Sequence, residues 1–234
     1  MTIASLALKI FFREFKSGQL LLMFLSLSLA VGIVASITFF TDRLDSSLIA
    51  ESKQFLGGDL KYESSSSLDE TAFPEGEYVY SKVHEFATVL ATNNKFQLAS
   101  IKSAATPYPL VGEIEILEKN SSKKVYKSPP NPNEIWLDER LARLLEVSLG
   151  EKISVGEKDF TFKGIIIAES DRGAGSFAFA PKGIINSLDL EKTNVIKPGS
   201  RVRYSYLFKA SSKDLVNLEN YFQEIKKPGD EIMM

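Results

Sequence analysis

An uncharged run of about 21 residues, from Leu20 to Phe40, constrains this chain more than any other feature of its sequence. At about 1.5 Å per residue the run makes roughly 31 Å of helix, which matches the hydrocarbon thickness of a bilayer. Its apolar side chains favour insertion by roughly 4 to 8 kcal/mol in sum, and its small and hydroxyl residues offset part of that. We therefore predict a transmembrane helix over 20–40, with Leu20, Phe24, Leu27, Val31, Val34 and Phe40 as spanning residues.

Two features of this run leave alternatives open. A cleaved signal peptide is the rival interpretation, with Val34-Ala35-Ser36 as a poor cleavage region. The apolar core of a signal is normally shorter, about 7 to 15 residues, which favours the spanning helix. The small residues Ser28, Gly32 and Ser36 share one helical face. They either allow close approach of another helix or are the small residues common in any spanning helix.

Residues 1–19 combine apolar and basic side chains at helical spacing. This pattern is typical of a helix lying in the membrane interface, and a frayed extension of the span is the alternative. The interfacial candidates are Lys9, Phe12, Arg13, Phe15 and Lys16. The basic residues before the span slightly outnumber Arg43 and Lys53 after it, which favours a cytoplasmic amino terminus and an external domain.

Composition constrains the part of the chain beyond the span. The chain has 234 residues, is 44% hydrophobic and carries a net charge of −2, so this part is long enough for one domain or two small lobes. It has no basic excess of the kind that binds nucleic acid. It contains no cysteine, which excludes disulfides, thiolate metal sites and cysteine nucleophiles.

The remaining sequence predicts a stalk and an α+β domain. A stalk helix over 41–58 should place Leu44 and Leu48 on one buried face, end at Gly57-Gly58, and couple movements of the span to the domain. The proline-rich stretch 129–132 separates a first α+β lobe, 59–128, from a second lobe and return segment, 129–234. The predicted strands are 59–62, 85–91, 96–104, 110–117, 152–155, 160–168 and 201–209, and the predicted helices are 138–146 and 214–225.

Catalytic, cofactor-binding and metal-ligating constellations are not evident, and we predict none. His84 is the single histidine, and we predict that it faces solvent on a strand. The stretch Asp171-Arg172-Gly173-Ala174-Gly175-Ser176 lacks the Gly-Lys-Ser/Thr ending of a phosphate-binding loop, so we interpret it as a mobile loop. The chain is therefore not expected to be an enzyme or to hydrolyse ATP by itself.

Trp136 is the single tryptophan of the chain. It lies between Ile135 and Leu137, which favour an ordered strand, so we predict that its ring is buried and seals the second lobe against the first. The alternative is a surface aromatic at an interface with a partner.

Several short motifs, in this order, resemble the amino-terminal part of FtsX-like ABC transporter permeases, and most closely the large YbbP-type branch. They are Arg13-Glu14-Phe15-Lys16-Ser17-Gly18, Phe39-Phe40-Thr41-Asp42-Arg43, Leu56-Gly57-Gly58-Asp59-Leu60, Glu134-Ile135-Trp136-Leu137-Asp138-Glu139-Arg140-Leu141, Leu149-Gly150-Glu151-Lys152, Asp171-Arg172-Gly173 and Pro198-Gly199-Ser200-Arg201-Val202. Each motif is short, and their order and spacing carry the resemblance.

The resemblance implies a two-lobed MacB-like extracytoplasmic domain on one span of the bacterial inner membrane, facing the periplasm or exterior. It implies a cytoplasmic ABC ATPase as partner, and movement that exports or extracts hydrophobic, lipid-like material. Besides the lipid bilayer, the implied partners are the remaining permease helices or a second permease copy, and no nucleic acid. Complete permeases have further spans, so we expect a fragment or split-gene product. A single-span anchored sensor or binding module is the alternative function.

Overall fold

The structure is a computed structural model that describes residues 5, 10, 11, 13, 18–119, 122–171 and 180–234. By contacts the chain divides into two units, 1–50 and 51–234. The elements in chain order are α1 (Gln19–Leu56), β1 (Leu60–Ser64), β2 (Tyr78–Ala91), β3 (Phe96–Ala104), β4 (Ile114–Leu117), β5 (Lys123–Tyr126), β6 (Glu134–Asp138), α2 (Glu139–Leu145), β7 (Lys152–Val155), β8 (Lys158–Glu169), β9 (Lys182–Asn186), α3 (Leu190–Thr193), β10 (Val202–Ala210), α4 (Ser212–Ile225) and β11 (Glu231–Met233).

Helix α1 contains the predicted span and continues without a break through the predicted stalk to Leu56. Among the described residues it is the one helix long and apolar enough to cross a membrane. The expectation that Leu44 and Leu48 share a buried face is wrong, since their side chains are 46% and 55% exposed. The helix becomes buried only at its last residue, Leu56, because that is where it reaches the packed part of unit 51–234.

The described strands form one eleven-stranded sheet, which confirms the α+β class. Its order is β11-β1-β10-β2-β3-β9-β6-β8-β4-β5, with β7 pairing β2 and β8 beside this path. The pairs β3–β9 and β6–β8 are parallel and the others are antiparallel. Strands from the predicted lobes 59–128 and 129–234 are interleaved in groups along the sheet, so both lobes share it.

The hairpin predicted over 85–104 is present, with Ala91 opposite Phe96 at its tip. Strand β2 begins earlier than predicted, at Tyr78, because its first half pairs with β10. In the stretch predicted as the strand 110–117, only Ile114–Leu117 is extended in the sheet. The backbone N–H groups of Leu110 and Val111 donate to the Gly57 carbonyl oxygen instead of to a strand.

Two helices cover apolar parts of the sheet. Helix α4 buries Leu218 and Phe222 as its spacing predicts, and the Phe222 ring stacks on Tyr62 with centroids 4.5 Å apart. Helix α2 buries Leu141 and Leu145 over the central strands.

Candidate functional site

The end of α1 is held by backbone hydrogen bonds to the loop before β4 and by one ion pair to Asp59. Gly57 follows the helix with φ +72°, and its carbonyl oxygen accepts from the N–H groups of Leu110 and Val111, both at 3.0 Å. Lys53, in the last turn of the helix, lies 2.9 Å from an Asp59 carboxylate oxygen. Only 57–59 separate the helix from β1, so the last turn and the first strand are held as one piece. We call this segment, Lys53–Lys61, the junction.

The junction leads directly into a network of buried charges centred on Asp171, whose side chain is fully enclosed. Lys61 Nζ lies 2.6 Å from Asp171 Oδ1, and Lys102 Nζ lies 3.1 Å from Oδ2. Lys102 also approaches Glu169 Oε1 at 2.5 Å, and Tyr108 donates to the same oxygen at 2.8 Å. Lys61, Lys102 and Asp171 are 2%, 4% and 1% exposed. Two distant strands, β1 and β3, are thus tied to the segment after β8.

Electrostatics keeps this network ionised. Burial opposes the charge on each group, but the opposite charges outweigh it. The pKa of Lys61 is raised by Asp171 and Glu63, and the pKa of Lys102 is raised well above its ordinary value by Asp171 and Glu169. Against the same burial, Lys102 and Lys61 lower the pKa of the Asp171 carboxyl. Lys61, Lys102 and Asp171 are therefore charged at neutral pH, and their ion pairs hold β1 and β3 to the segment after β8.

The buried network corrects one sequence-based interpretation and adds residues that the sequence did not indicate. Asp171, the first residue of the stretch interpreted as a mobile loop, is held in place, because it is buried and paired with Lys61 and Lys102. Residues 172–176 of that stretch lie outside the described residues. The roles of Lys61 and Lys102 are not predicted from the sequence. One sequence signal could have indicated them, namely a lysine in the interior of a predicted strand. If such a lysine is buried, it needs a partner of opposite charge.

Position 57 requires glycine for two separate reasons. Its φ of +72° strains any L side chain, and an added Cβ would lie 2.9 Å from Asp171 Cβ. We expect Gly57→Ala to lower the free energy of unfolding by about 2 to 3 kcal/mol and to speed proteolysis next to position 57. Gly150→Ala is the matched control, because Gly150 has φ +100° and open space around it, and should cost about 1 kcal/mol. Equal losses in urea unfolding of the two variants would contradict a contact with Asp171.

His84 is less exposed than predicted. It is half-buried, packs edge-on against Tyr204 with ring centroids 5.1 Å apart, and its Nδ1 atom is buried without a hydrogen-bond partner among the described residues. Burial, aided by the charge of Lys82 and opposed by Glu70, lowers the pKa of His84 to about 4. The contact with Tyr204 comes from the neighbouring strand β10, which the pattern of a single strand does not reveal.

This lowered pKa predicts a loss of stability in acid. Between pH 6.5 and about 4 the unfolded chain binds a proton at His84 that the folded chain excludes, so stability falls as pH falls through that window. We expect the contribution of His84 to be about 2 kcal/mol. Urea unfolding at pH 7 and pH 4.5 should show a smaller pH effect in His84→Gln than in the wild type. An identical pH effect in both proteins would contradict the burial of the neutral imidazole.

The predicted spanning residues lie on α1. Five of them are 59% to 68% exposed, namely Phe24, Leu27, Val31, Val34 and Phe40, and Leu20 is half-buried. Of the interfacial candidates, Arg13 is helical and exposed. Lys9, Phe12, Phe15 and Lys16 lie outside the described residues. Assignment of these residues to the membrane stays a prediction.

No family model matches this chain. Its sequence is similar to that of an uncharacterized ABC transporter permease, YbbP, of Escherichia coli (strain K12). The two are 31% identical over 221 residues, which cover 93% of this chain and 27% of that protein. This likeness confirms the resemblance to ABC transporter permeases that the motifs indicated. The chain spans less than two thirds of the relative that it matches.

The solved structures to which the chain is similar include two extracytoplasmic domains. One is the periplasmic region of MacB from Actinobacillus actinomycetemcomitans, with a TM-score of 0.47, 11% identity, and coverage of 79% of this chain and 92% of that one. The other is the extracellular domain of the noncanonic ABC-type transporter YknZ from Gram-positive bacteria, with a TM-score of 0.41, 8% identity, and coverage of 66% and 80%.

Proposed function

From its likeness to an ABC transporter permease over 93% of its length, we propose that this chain is the amino-terminal part of such a permease. In this proposal α1 spans the inner membrane, and residues 51–234 form a domain in the periplasm or exterior. A cytoplasmic ABC ATPase supplies the energy, as the likeness to an ABC transporter permease implies. The identity with the permease is the observation that carries the proposal.

The junction is the part of the chain that would transmit ATPase-driven movement. Its backbone bonds at Gly57 and the Lys53–Asp59 ion pair hold the last helical turn against the sheet. Lys61 then enters β1 and pairs with buried Asp171. A displacement of the last helical turn therefore acts on β1 and, through the charge network, on the segments that carry Lys102 and Asp171. A flexible linker at 57–59 would absorb such a displacement.

In the family that the sequence resembles, the domain's movement exports or extracts hydrophobic, lipid-like material. We extend that role to this chain. The partners required are the ATPase, the bilayer, and the remaining permease helices or a second permease copy.

The ATPase partnership is tested by affinity purification of the full-length gene product that carries this chain. We expect an ABC ATPase to co-purify with it, and we expect Gly57→Ala to leave co-purification unchanged while lowering ATP-dependent transport. Purification without any ATPase under conditions that preserve the membrane complex would contradict the proposed function. Equal transport by the wild type and Gly57→Ala would contradict the role of the junction.

A separate experiment tests on which side of the membrane the domain lies, and it uses the absence of cysteine from the chain. Because the chain contains no cysteine, a single introduced thiol can be labelled without background. Phe96 is 76% exposed at the tip of the β2–β3 hairpin, and Ser5 is exposed before the span. In intact spheroplasts, a membrane-impermeant maleimide should label Phe96→Cys at once and Ser5→Cys only after permeabilisation. The opposite pattern would place the domain in the cytoplasm and contradict the proposal.

A further inference from the structure

A cleft of about 710 Å³ lies at the end of β1 and the starts of β10 and β11, beside the middle of the neighbouring strand β2. Its volume falls in the range of about 300 to 1,000 Å³ that is usual for small-molecule sites. Glu63, at the far end of β1, is the residue that the cleft shares with the buried charge network. From Leu60 to Glu63 the strand rises about 10 Å, so the cleft lies close to the junction.

The lining of the cleft has an apolar part and a charged part. The apolar part comes from half-buried Val195 and Ile196, which pack on the core cluster that contains the buried side chains of Phe86 and Val202. The charged part contains Arg201 and Arg203 at the start of β10, with Glu63 and Glu231 across from them on β1 and β11. Glu63 lies 2.8 Å from Lys61 Nζ and 3.5 Å from Arg203 Nε, so its charge is already met within the protein. Exposed Arg201 is the cation at the mouth, and exposed Glu231 is the opposing carboxylate.

We propose that this cleft binds an amphiphile with one hydrocarbon chain and an anionic head group. The chain lies along the apolar part, and the head accepts hydrogen bonds from the guanidinium groups of Arg201 and Arg203. Guanidinium is suited to this role, since its planar donors match carboxylate and phosphate oxygens. The proposal deepens the transport function above, on which the role of the bound amphiphile as cargo rests.

Binding of an anion in the cleft would affect the junction, because charged residues that line the cleft also form ion pairs with the junction. An anionic head at Arg203 competes with Glu63 for that guanidinium. Glu63 also pairs with Lys61, and Lys61 pairs with Asp171. A series of contacts between charged side chains therefore connects the cleft to the end of α1. It runs from Arg203 to Glu63, then to Lys61 and then to Asp171. Cargo binding and movement of the junction are linked by this chain of contacts.

The test measures binding to the full chain in nanodiscs without an ATPase, so its failure is separate from failure of the transport proposal. Ala87→Cys places a polarity-sensitive dye at the cleft, where Ala87 is exposed. We expect dodecanoate or dodecyl phosphate to shift the dye emission to the blue with saturation, and dodecyltrimethylammonium to leave it unchanged. A response to one anion alone identifies a carboxylate or a phosphate as the preferred head group. Saturation by the cation at the same concentration would overturn the proposal.

Two exposed variants should change the affinity in opposite directions. Arg201→Ala removes a charged hydrogen-bond donor and should weaken binding of the anion about tenfold. Glu231→Gln removes a repelling charge and should tighten binding about two- to fivefold. Arg143→Ala is the matched charge control, because Arg143 is exposed on α2 and pairs with Glu139, and it should leave the affinity unchanged. Equal affinities in all three variants would overturn recognition of the head group at this cleft.

The dye position needs its own control, because amphiphiles also enter the bilayer. Val125→Cys places the same dye on β5, the strand at the opposite edge of the sheet from β11, where the side chain is 54% exposed. Amphiphile addition should leave this dye unchanged. A shift of equal size and midpoint at both positions would show partitioning into the bilayer instead of binding in the cleft, and would contradict the proposal.

Discussion

Asp171→Asn is expected to lower the free energy of unfolding by about 3 to 5 kcal/mol. The substitution keeps the shape of the side chain and removes its charge, while Lys61 and Lys102 remain buried beside it. Removal of one partner from a buried ion pair leaves the other charge without compensation, and this costs more than the pair itself contributes. Because Asp171 is in contact with both lysines and lies against Gly57, the loss should be accompanied by faster proteolysis at the junction.

The measurement is urea unfolding of the full chain in detergent micelles, followed by Trp136 emission. Asp159→Asn is the matched control, because Asp159 is exposed and accepts one hydrogen bond from Ser154 at 2.6 Å. Its loss should stay below about 1 kcal/mol. A loss of that small size in Asp171→Asn would show that Glu63 and Glu169 are sufficient partners for the two lysines.

The same network gives a pH dependence of known sign. The pKa of Asp171 is lower in the folded chain than in the unfolded chain, because Lys102 and Lys61 outweigh the effect of burial. Its contribution is therefore complete above the unfolded-state pKa and is lost as pH falls through the folded-state value. The difference between the wild type and Asp171→Asn should be constant near neutral pH and should shrink in strong acid. A difference that grows in acid would contradict the assignment of an ionised Asp171.

The elements predicted from the sequence are those that local patterns determine. The uncharged run over 20–40, the hairpin around 92–95 and the apolar face of α4 all depend on spacings of a few residues, and the structure has each element. Local spacing does not specify pairing between distant segments. Lys61 and Asp171 are 110 residues apart in sequence, so their contact leaves no periodic signal.

The two incorrect burial assignments have the same physical origin. His84 lies beside charged Glu85 on β2, which suggested a solvent-facing position, but the Tyr204 ring of β10 packs edge-on against it. Leu44 and Leu48 have the spacing of a buried helical face, but no described segment covers them. Amphipathic spacing shows which residues share a face. Whether another element packs on that face is decided by the arrangement of the sheet.

Truncation of the one tryptophan, Trp136→Ala, is expected to lower the free energy of unfolding by about 3 to 5 kcal/mol. The predicted burial is confirmed, since the side chain is 3% exposed. It packs in a cluster with Tyr108, Ile114 and Ile116, and its ring lies 4.9 Å from that of Tyr126. The ring thus joins β6 to Tyr108 and to side chains of β4 and β5.

Trp136→Ala should also weaken the buried charge network, because Tyr108 belongs both to that network and to the cluster around Trp136. Wild-type emission should be blue-shifted and resistant to iodide. The variant lacks this fluorophore, so its unfolding is followed by circular dichroism. Phe96→Ala is the matched control, since Phe96 is 76% exposed and its loss should stay within about 0.5 kcal/mol. Red-shifted wild-type emission that iodide quenches readily, or equal stability of the two variants, would identify Trp136 as a surface aromatic and a candidate contact for another protein.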